Sequence, residues 1–248
     1  MDLSAYRAST SERERTNDLL RLMPNGGDIA LDVGARDGHF SRLLAERFAT
    51  VLALDLCAPR IVHPAVACIQ GNTTKLSFAD RSVDFVLCAE VLEHIPPPLL
   101  PQACAELQRV CRGKLLIGVP YCQDLRLGRL TCNHCGHINP AWGHVNRFDE
   151  NMITQLFNRS SIESISYVGH TREQTNTLSA LLMDLAGNPY GTYSQDEPCI
   201  HCGQRFIAPA PRTLDKKILT RLAVIAQRFT QPFKGERAKW IHVILHPR

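Results

Sequence analysis

The stretch Ala30-Leu31-Asp32-Val33-Gly34-Ala35-Arg36-Asp37-Gly38-His39-Phe40, followed by Val51-Leu52-Ala53-Leu54-Asp55, constrains the fold more than any other part of the chain. It reads as a buried strand, a glycine-bearing turn, a helix, and a second strand closing on a carboxylate, the pattern of a parallel βαβ unit. The turn lets backbone approach a ligand, and an acid ending the second strand can accept both hydroxyls of a ribose. A glycine turn alone is a weak signal; the motifs downstream give it weight.

Alternation of short apolar strands with helical stretches continues along the chain and predicts a parallel sheet with helices on both faces. An amphipathic helix over 11–23 runs into the breaker Pro24-Asn25-Gly26-Gly27. Strands are predicted at 29–33, 50–55, 66–70, 83–88 and 114–119, with helices near 39–48 and 98–110. Residues 120–148 lose periodicity, a helix near 149–158 and a strand near 161–168 restore it, and residues 170–212 interrupt it again. A helix at 213–229 and a last strand at 240–245 complete the pattern. The 248 residues suit one α/β domain carrying these two insertions.

The net charge of +4 is mild and neither demands nor excludes an anionic partner. No apolar run has spanning length and the N-terminal stretch is polar, so neither a membrane span nor a secretory leader is expected. Of ten cysteines, Cys57, Cys68, Cys88, Cys104 and Cys111 stand singly in apolar patterns and read as small core residues; Cys122 is alone near a loop. The absence of a disulfide framework points to a reducing, cytoplasmic setting.

Leu31-Asp32-Val33-Gly34-Ala35-Arg36-Asp37-Gly38, Asp55, and the run from Gly71-Asn72 through Asp84-Phe85-Val86-Leu87-Cys88-Ala89-Glu90-Val91-Leu92-Glu93-His94-Ile95 come in the order and at the spacing of the class I S-adenosylmethionine-dependent methyltransferases, close to the small-molecule group called type 11. The resemblance covers residues 28–120. It implies a Rossmann-like seven-stranded sheet and S-adenosyl-L-methionine as cofactor, with Asp32, Gly34, Gly38, Asp55, Asn72 and Glu90 in its pocket. Gly34 and Gly38 would close the turn around the methionine half, Asp32 would anchor it, and Asp55 would hold the ribose. Asn72 stands where relatives usually carry aspartate facing the adenine amine; its amide oxygen can still accept that hydrogen bond. Arg36 stands where the family commonly has glycine. The competing nicotinamide-type turn would need glycines where Arg36 and His39 stand, and there is no Walker lysine.

Cys132-Asn133-His134-Cys135-Gly136 and Cys199-Ile200-His201-Cys202-Gly203 are near copies. Each is a tight turn presenting two thiols, and two such turns complete a four-thiolate zinc site. Their separation far exceeds the roughly 15–20 residues of a compact zinc ribbon. In the family's sheet the last strand inserts antiparallel between strands five and six. The insertions 120–148 and 170–212 would then leave from neighbouring strand ends, where a structural zinc held by Cys132, Cys135, Cys199 and Cys202 would staple them into a lid over the acceptor pocket. Disulfides fit a reducing compartment poorly, and neither pair opens a helix as thioredoxin-like redox chemistry prefers.

Methyl transfer is an in-line displacement needing alignment, dryness and, for some acceptors, a base. His144, in Trp142-Gly143-His144-Val145-Asn146-Arg147-Phe148, is the first candidate for facing the acceptor; His94 is the second, His137 is a further candidate base, and Tyr121 is a pocket residue. In the helix at 213–229, Leu214, Ile218, Leu219, Leu222, Ile225, Ala226 and Phe229 form one stripe, with Lys216, Lys217, Arg221 and Arg228 largely off it. Such a helix packs on a sheet or, in a second reading, contacts an anionic inner-membrane surface, which would suit a lipid-linked acceptor. The functional expectation is methylation of a small molecule, sugar or lipid-linked glycan, at oxygen. The alternatives are an RNA methyltransferase with a zinc lid, disfavoured by scattered basic residues and by the lack of an Asn/Asp-Pro-Pro-Tyr/Phe motif, and a non-catalytic relative of the fold.

Overall fold

In a computed structural model of the chain, residues 7–248 are described. They form two compact units. The sheet unit comprises residues up to Tyr121, Phe148–Gly169 and Ala238–Arg248; the cysteine unit comprises Cys122–Arg147 and His170–Arg237.

In the sheet unit, α1 (Thr10–Leu22) precedes β1 (Gly27–Val33), α2 (His39–Ala45), β2 (Phe48–Asp55), β3 (Val66–Gln70), β4 (Val83–Ala89), α3 (Leu100–Val110) and β5 (Cys111–Pro120). After the first departure of the chain come α4 (Glu150–Leu156) and β8 (Ser160–Val168), and after the second comes β9 (Trp240–Pro247). The seven strands lie in the order β3-β2-β1-β4-β5-β9-β8. β1 to β5 pair in parallel, and β9 inserts antiparallel between β5 and β8, as the resemblance implied. This is the Rossmann-like methyltransferase sheet.

Near-continuous apolar runs build the central strands because both faces are covered. Phe85, Val86, Leu87 and Cys88 of β4 and Leu115, Leu116 and Ile117 of β5 are buried. One core lies between the sheet and α3, where Leu100, Cys104 and Leu107 meet Leu31, Val86 and Ile117. The other gathers Leu19 and Leu44 with Ala30, Val51, Phe85 and Leu116. A buried polar bond also ties α1 to the sheet: Asp18 Oδ2 lies 2.7 Å from Nδ1 of the fully buried His242 on β9. Burial would raise the Asp18 carboxyl, but bonds from His242, Arg21 and Ser166 carry it down to about 2.

Cys88, Cys104 and Cys111 are core residues as expected, whereas Cys57 and Cys68 are exposed. Cys57 follows the end of β2, and Cys68 sits on β3, an edge strand with an open outer face. The helix expected to reach residue 48 stops at Ala45, because Phe48 is already drawn into β2 and stacks on Phe85.

The cysteine unit has little regular structure: the short hairpin β6 (Leu130–Thr131) and β7 (Ile138–Asn139), then α5 (Thr177–Leu185) and α6 (Leu214–Thr230). The last two pack on one another. α5 lies in a stretch read from sequence as non-periodic. No helix among the described residues is long and apolar enough to cross a membrane.

Candidate functional site

The strand ends create the first part of the site. Gly34, directly after β1, has φ of 76°, and Gly38, at the start of α2, has φ of 78°. A Cβ at either would fall 2.4 Å from a side-chain carbon, of Val91 and Ile61 respectively, so the turn is tight as well as left-handed. The Gly34 and Ala35 amides donate to Leu54 O at 2.8 and 3.1 Å, pinning the turn to the end of β2. Arg36 holds the left-handed conformation that a glycine would take more easily (φ 48°), and its side chain is exposed.

The Arg36 backbone N–H donates to Asp55 Oδ2 at 2.9 Å. That bond orients a half-exposed carboxylate at the end of β2, and no described residue donates to its Oδ1. The Arg36 amide thus fixes the orientation of this carboxylate through one oxygen. Asp32 is buried at the end of β1, and its Oδ2 accepts from Ser41 Oγ at 2.5 Å. Burial pushes its carboxyl up to about 7; the Ser41 bond opposes this and the Asp55 charge adds to it. Asn72, beyond β3, is exposed, and its Oδ1 accepts from the Thr74 amide and hydroxyl, both at 2.9 Å, in an Asx turn. An adenine amine would have to share that oxygen.

Past β4, Glu90 has φ of 58° and its amide donates to Gly118 O. Burial raises its carboxyl, against the lowering effects of the Arg15 guanidinium and a bond from Trp240. Glu93 is fully buried, and neither carboxylate oxygen has a hydrogen-bond partner among the described residues. Burial, with the neighbouring Glu90, holds its proton on well above the usual carboxylate range. His94 is exposed in the same turn. Glu93 and Ser41 went unassigned in the sequence; Glu93 lies inside the matched motif, but nothing in its spacing distinguishes a buried acid from a solvated one.

In the cysteine unit the two Cys-x-x-Cys turns are conformational copies. Gly136 N donates to Cys132 O and Gly203 N to Cys199 O, each at 2.8 Å, with φ of 74° and 71° at the two glycines. The four Sγ atoms lie within 4.8 Å of one another. Cys132 and Cys202 sulfurs are 3.7 Å apart, and Cys135 and Cys199 sulfurs 3.6 Å. A zinc–thiolate tetrahedron with bonds of about 2.3 Å has edges of about 3.8 Å. Disulfides need about 2.05 Å. The donor set therefore fits a tetrahedral zinc ion. Buried Asn139 couples the turns, donating to His137 O and accepting from Ile200 N, both unread in the sequence. The His137 and His201 rings stack with centroids 4.1 Å apart.

His144 is buried in this unit, with Nδ1 2.7 Å from Gln123 Oε1. A bond to the Gln123 amide oxygen places the proton on Nδ1. Tyr121, at the end of β5, donates to Glu150 Oε1 at 2.9 Å.

Residues 31–117 match the family described as "Methyltransferase domain". Among curated proteins, the chain is 31% identical over 155 residues to the biotin biosynthesis bifunctional protein BioHC of Cellvibrio japonicus, covering 57% of this chain and 29% of that protein. It is 32% identical over 98 residues to the ubiquinone biosynthesis O-methyltransferase of Paracidovorax citrulli, covering 35% of this chain and 41% of that protein. The chain thus spans less than half the length of these relatives. Among solved structures, it shares the fold of a Burkholderia thailandensis 1,6-didemethyltoxoflavin-N1-methyltransferase bound to 1,6-didemethyltoxoflavin and S-adenosylhomocysteine (19% identity, TM-score 0.50, 67% of this chain and 74% of that chain).

Proposed function

We propose that this chain, which belongs to the class I S-adenosylmethionine-dependent methyltransferases, moves a methyl group from that cofactor to an oxygen of a small molecule, sugar or lipid-linked glycan. The observation that carries the reading is the Asp55 carboxylate, fixed through one oxygen by the Arg36 amide beside the Gly34–Gly38 turn. The name of the Paracidovorax citrulli relative supports oxygen as the acceptor atom, and the nucleoside bound to the Burkholderia thailandensis enzyme supports the cofactor.

S-Adenosylmethionine, when bound, supplies a methyl group on a positively charged sulfur. Gly34 and Gly38 let the turn close tightly and left-handed beside its methionine half, Asp55 holds the ribose, and Asn72 and Glu90 line the adenosine side. Asp32, hydrogen-bonded to Ser41, braces the turn from beneath. An acceptor hydroxyl must shed its proton as the new bond forms. We assign that proton to His144, with His94 as the alternative. Zinc held by Cys132, Cys135, Cys199 and Cys202 would be closed to further ligands, hence structural.

The test is calorimetric titration with S-adenosylhomocysteine. The unaltered chain should bind, and Asp55→Ala should lose affinity about 100-fold, the scale of a charge-assisted pair of hydrogen bonds. Binding undiminished in Asp55→Ala would overturn the placement of the pocket. A panel of hydroxylated acceptors, read by release of S-adenosylhomocysteine, identifies the substrate class.

A further inference from the structure

The helical hairpin of the cysteine unit is built inside out. α5 and α6 meet through small or polar residues: Ser179 and Ala180 on one, Thr220 and Ala223 on the other, all buried. Their contact is stitched by hydrogen bonds, Ser179 Oγ donating to Ala223 O at 2.8 Å and Asn176 Nδ2 to Ala226 O at 2.9 Å. The large aliphatic and aromatic residues face solvent instead. On α6, Leu214, Ile218, Leu222, Ile225 and Phe229 recur at helical spacing, and the last is 78% exposed. On α5, Leu178, Leu181 and Leu185 are each more than half exposed, and Phe233 beyond α6 is 84% exposed. A water-soluble hairpin does the reverse, burying leucines between helices and turning small polar residues outward.

Charge identifies the occupant. At about 100° per residue, Lys217, Arg221 and Arg228 fall in a row along one edge of the α6 stripe, and all three are exposed. Asp215 is the one acidic residue in α6. Just before α6, Arg212 lies over the exposed Tyr190 ring at 4.9 Å and donates to its hydroxyl at 2.6 Å, the kind of aromatic–cationic pair that sits well at a headgroup boundary. A second copy of the chain is a poorer occupant, since isologous pairing brings the basic rows of both copies into one interface. Lipid phosphates neutralise such a row while the stripe enters the acyl boundary.

We propose that the outward apolar stripe of α6, edged by Lys217, Arg221 and Arg228, docks on an anionic phospholipid bilayer, lying in its surface. The inference does not depend on the methyl-transfer reading, because it uses none of the residues assigned to cofactor or acceptor. The test is co-sedimentation of the full chain with vesicles of phosphatidylglycerol and phosphatidylcholine in roughly equal parts, against vesicles of phosphatidylcholine alone. Binding should favour the anionic vesicles at least tenfold and weaken as salt rises. Leu222→Glu/Phe229→Glu and Lys217→Glu/Arg221→Glu, all at exposed positions, should each reduce binding about tenfold or more while leaving helix content and S-adenosylhomocysteine affinity unchanged. Failure of the unaltered chain to sediment with anionic vesicles, equal binding to neutral ones, or folded variants that bind as it does would overturn the proposal. So would a solution dimer dissolved by Leu222→Glu/Phe229→Glu in a chain that ignores vesicles.

Discussion

The sheet unit and the cysteine unit of this chain bury opposite kinds of residue. Both hydrophobic clusters, running from Leu19 to Ile244 and from Leu31 to Leu245, belong wholly to the sheet unit. In the cysteine unit the buried apolar residues are Leu130, Ala141, Ala180, Ala186 and Ala223 with two cysteines, beside buried Asn139, Asn146, Thr175, Ser179, Asn188, Gln195 and Thr220. An α/β sheet generates its own interior, because parallel strands covered on both faces remove long apolar runs from water. A unit of short turns cannot do that, so its geometry depends on directional bonds: four sulfurs at tetrahedral spacing and a mesh of side-chain amides and hydroxyls.

This contrast is most exposed to metal removal. Stripping zinc with a chelator, or replacing Cys199 with Ala, should cost the cysteine unit an interaction on the order of 10 kcal/mol. Hydrogen exchange should then show protection lost over 122–147 and 170–237 but retained in β1, β4 and β5. Metal analysis of the intact chain should give about one zinc per chain, and protection unchanged after stripping would show that the unit is held by its polar mesh alone. The converse experiment touches the sheet: Leu116→Ala, at a fully buried position on β5, should lower unfolding free energy by about 3 kcal/mol in denaturant melts, with bound zinc unchanged. Equal loss from both units would mean they unfold as one.

The smallest effect concerns Asp32. Its carboxyl is raised in the folded state, so the folded protein keeps a proton that the unfolded chain releases. Stability from this group is full below about pH 4 and falls as pH rises toward about 7. Asp32→Asn removes the burial of charge and should therefore be more stable relative to the unaltered chain at pH 8 than at pH 5, by roughly 2–3 kcal/mol. A pH-independent difference would show that Asp32 is already ionised and satisfied.

What could be read from sequence follows the same division. β4 and β5 were legible because a run such as Phe85-Val86-Leu87-Cys88 has one stable destination, the middle of a sheet. The cysteine turns were legible because thiol spacing and a following glycine specify local geometry. α5 escaped because it is short, lies between the polar stretch 170–176 and the turn Gly187-Asn188-Pro189, both of which read as loop, and its apolar side is not the one that packs. β6 and β7 are two residues each, too short for any alternation to show. Asp32, Gly34, Gly38 and Asp55 gather at the ends of β1 and β2 because the βαβ turn forces them together. By contrast, the bond of Gln123 to His144 and the isolation of Glu93 are tertiary outcomes with no local signature.

The position of β9 carries a consequence for biosynthesis. Residues 240–247 fill the slot between β5 and β8, so both of those strands emerge from the ribosome with an unsatisfied edge. Every cysteine of the four-sulfur cluster has been translated by then. The nascent chain must therefore carry two open hydrogen-bonding edges, each a template for intermolecular pairing, until its final strand arrives. Truncation before Trp240 would leave β8 cut off from the sheet and the product prone to aggregate.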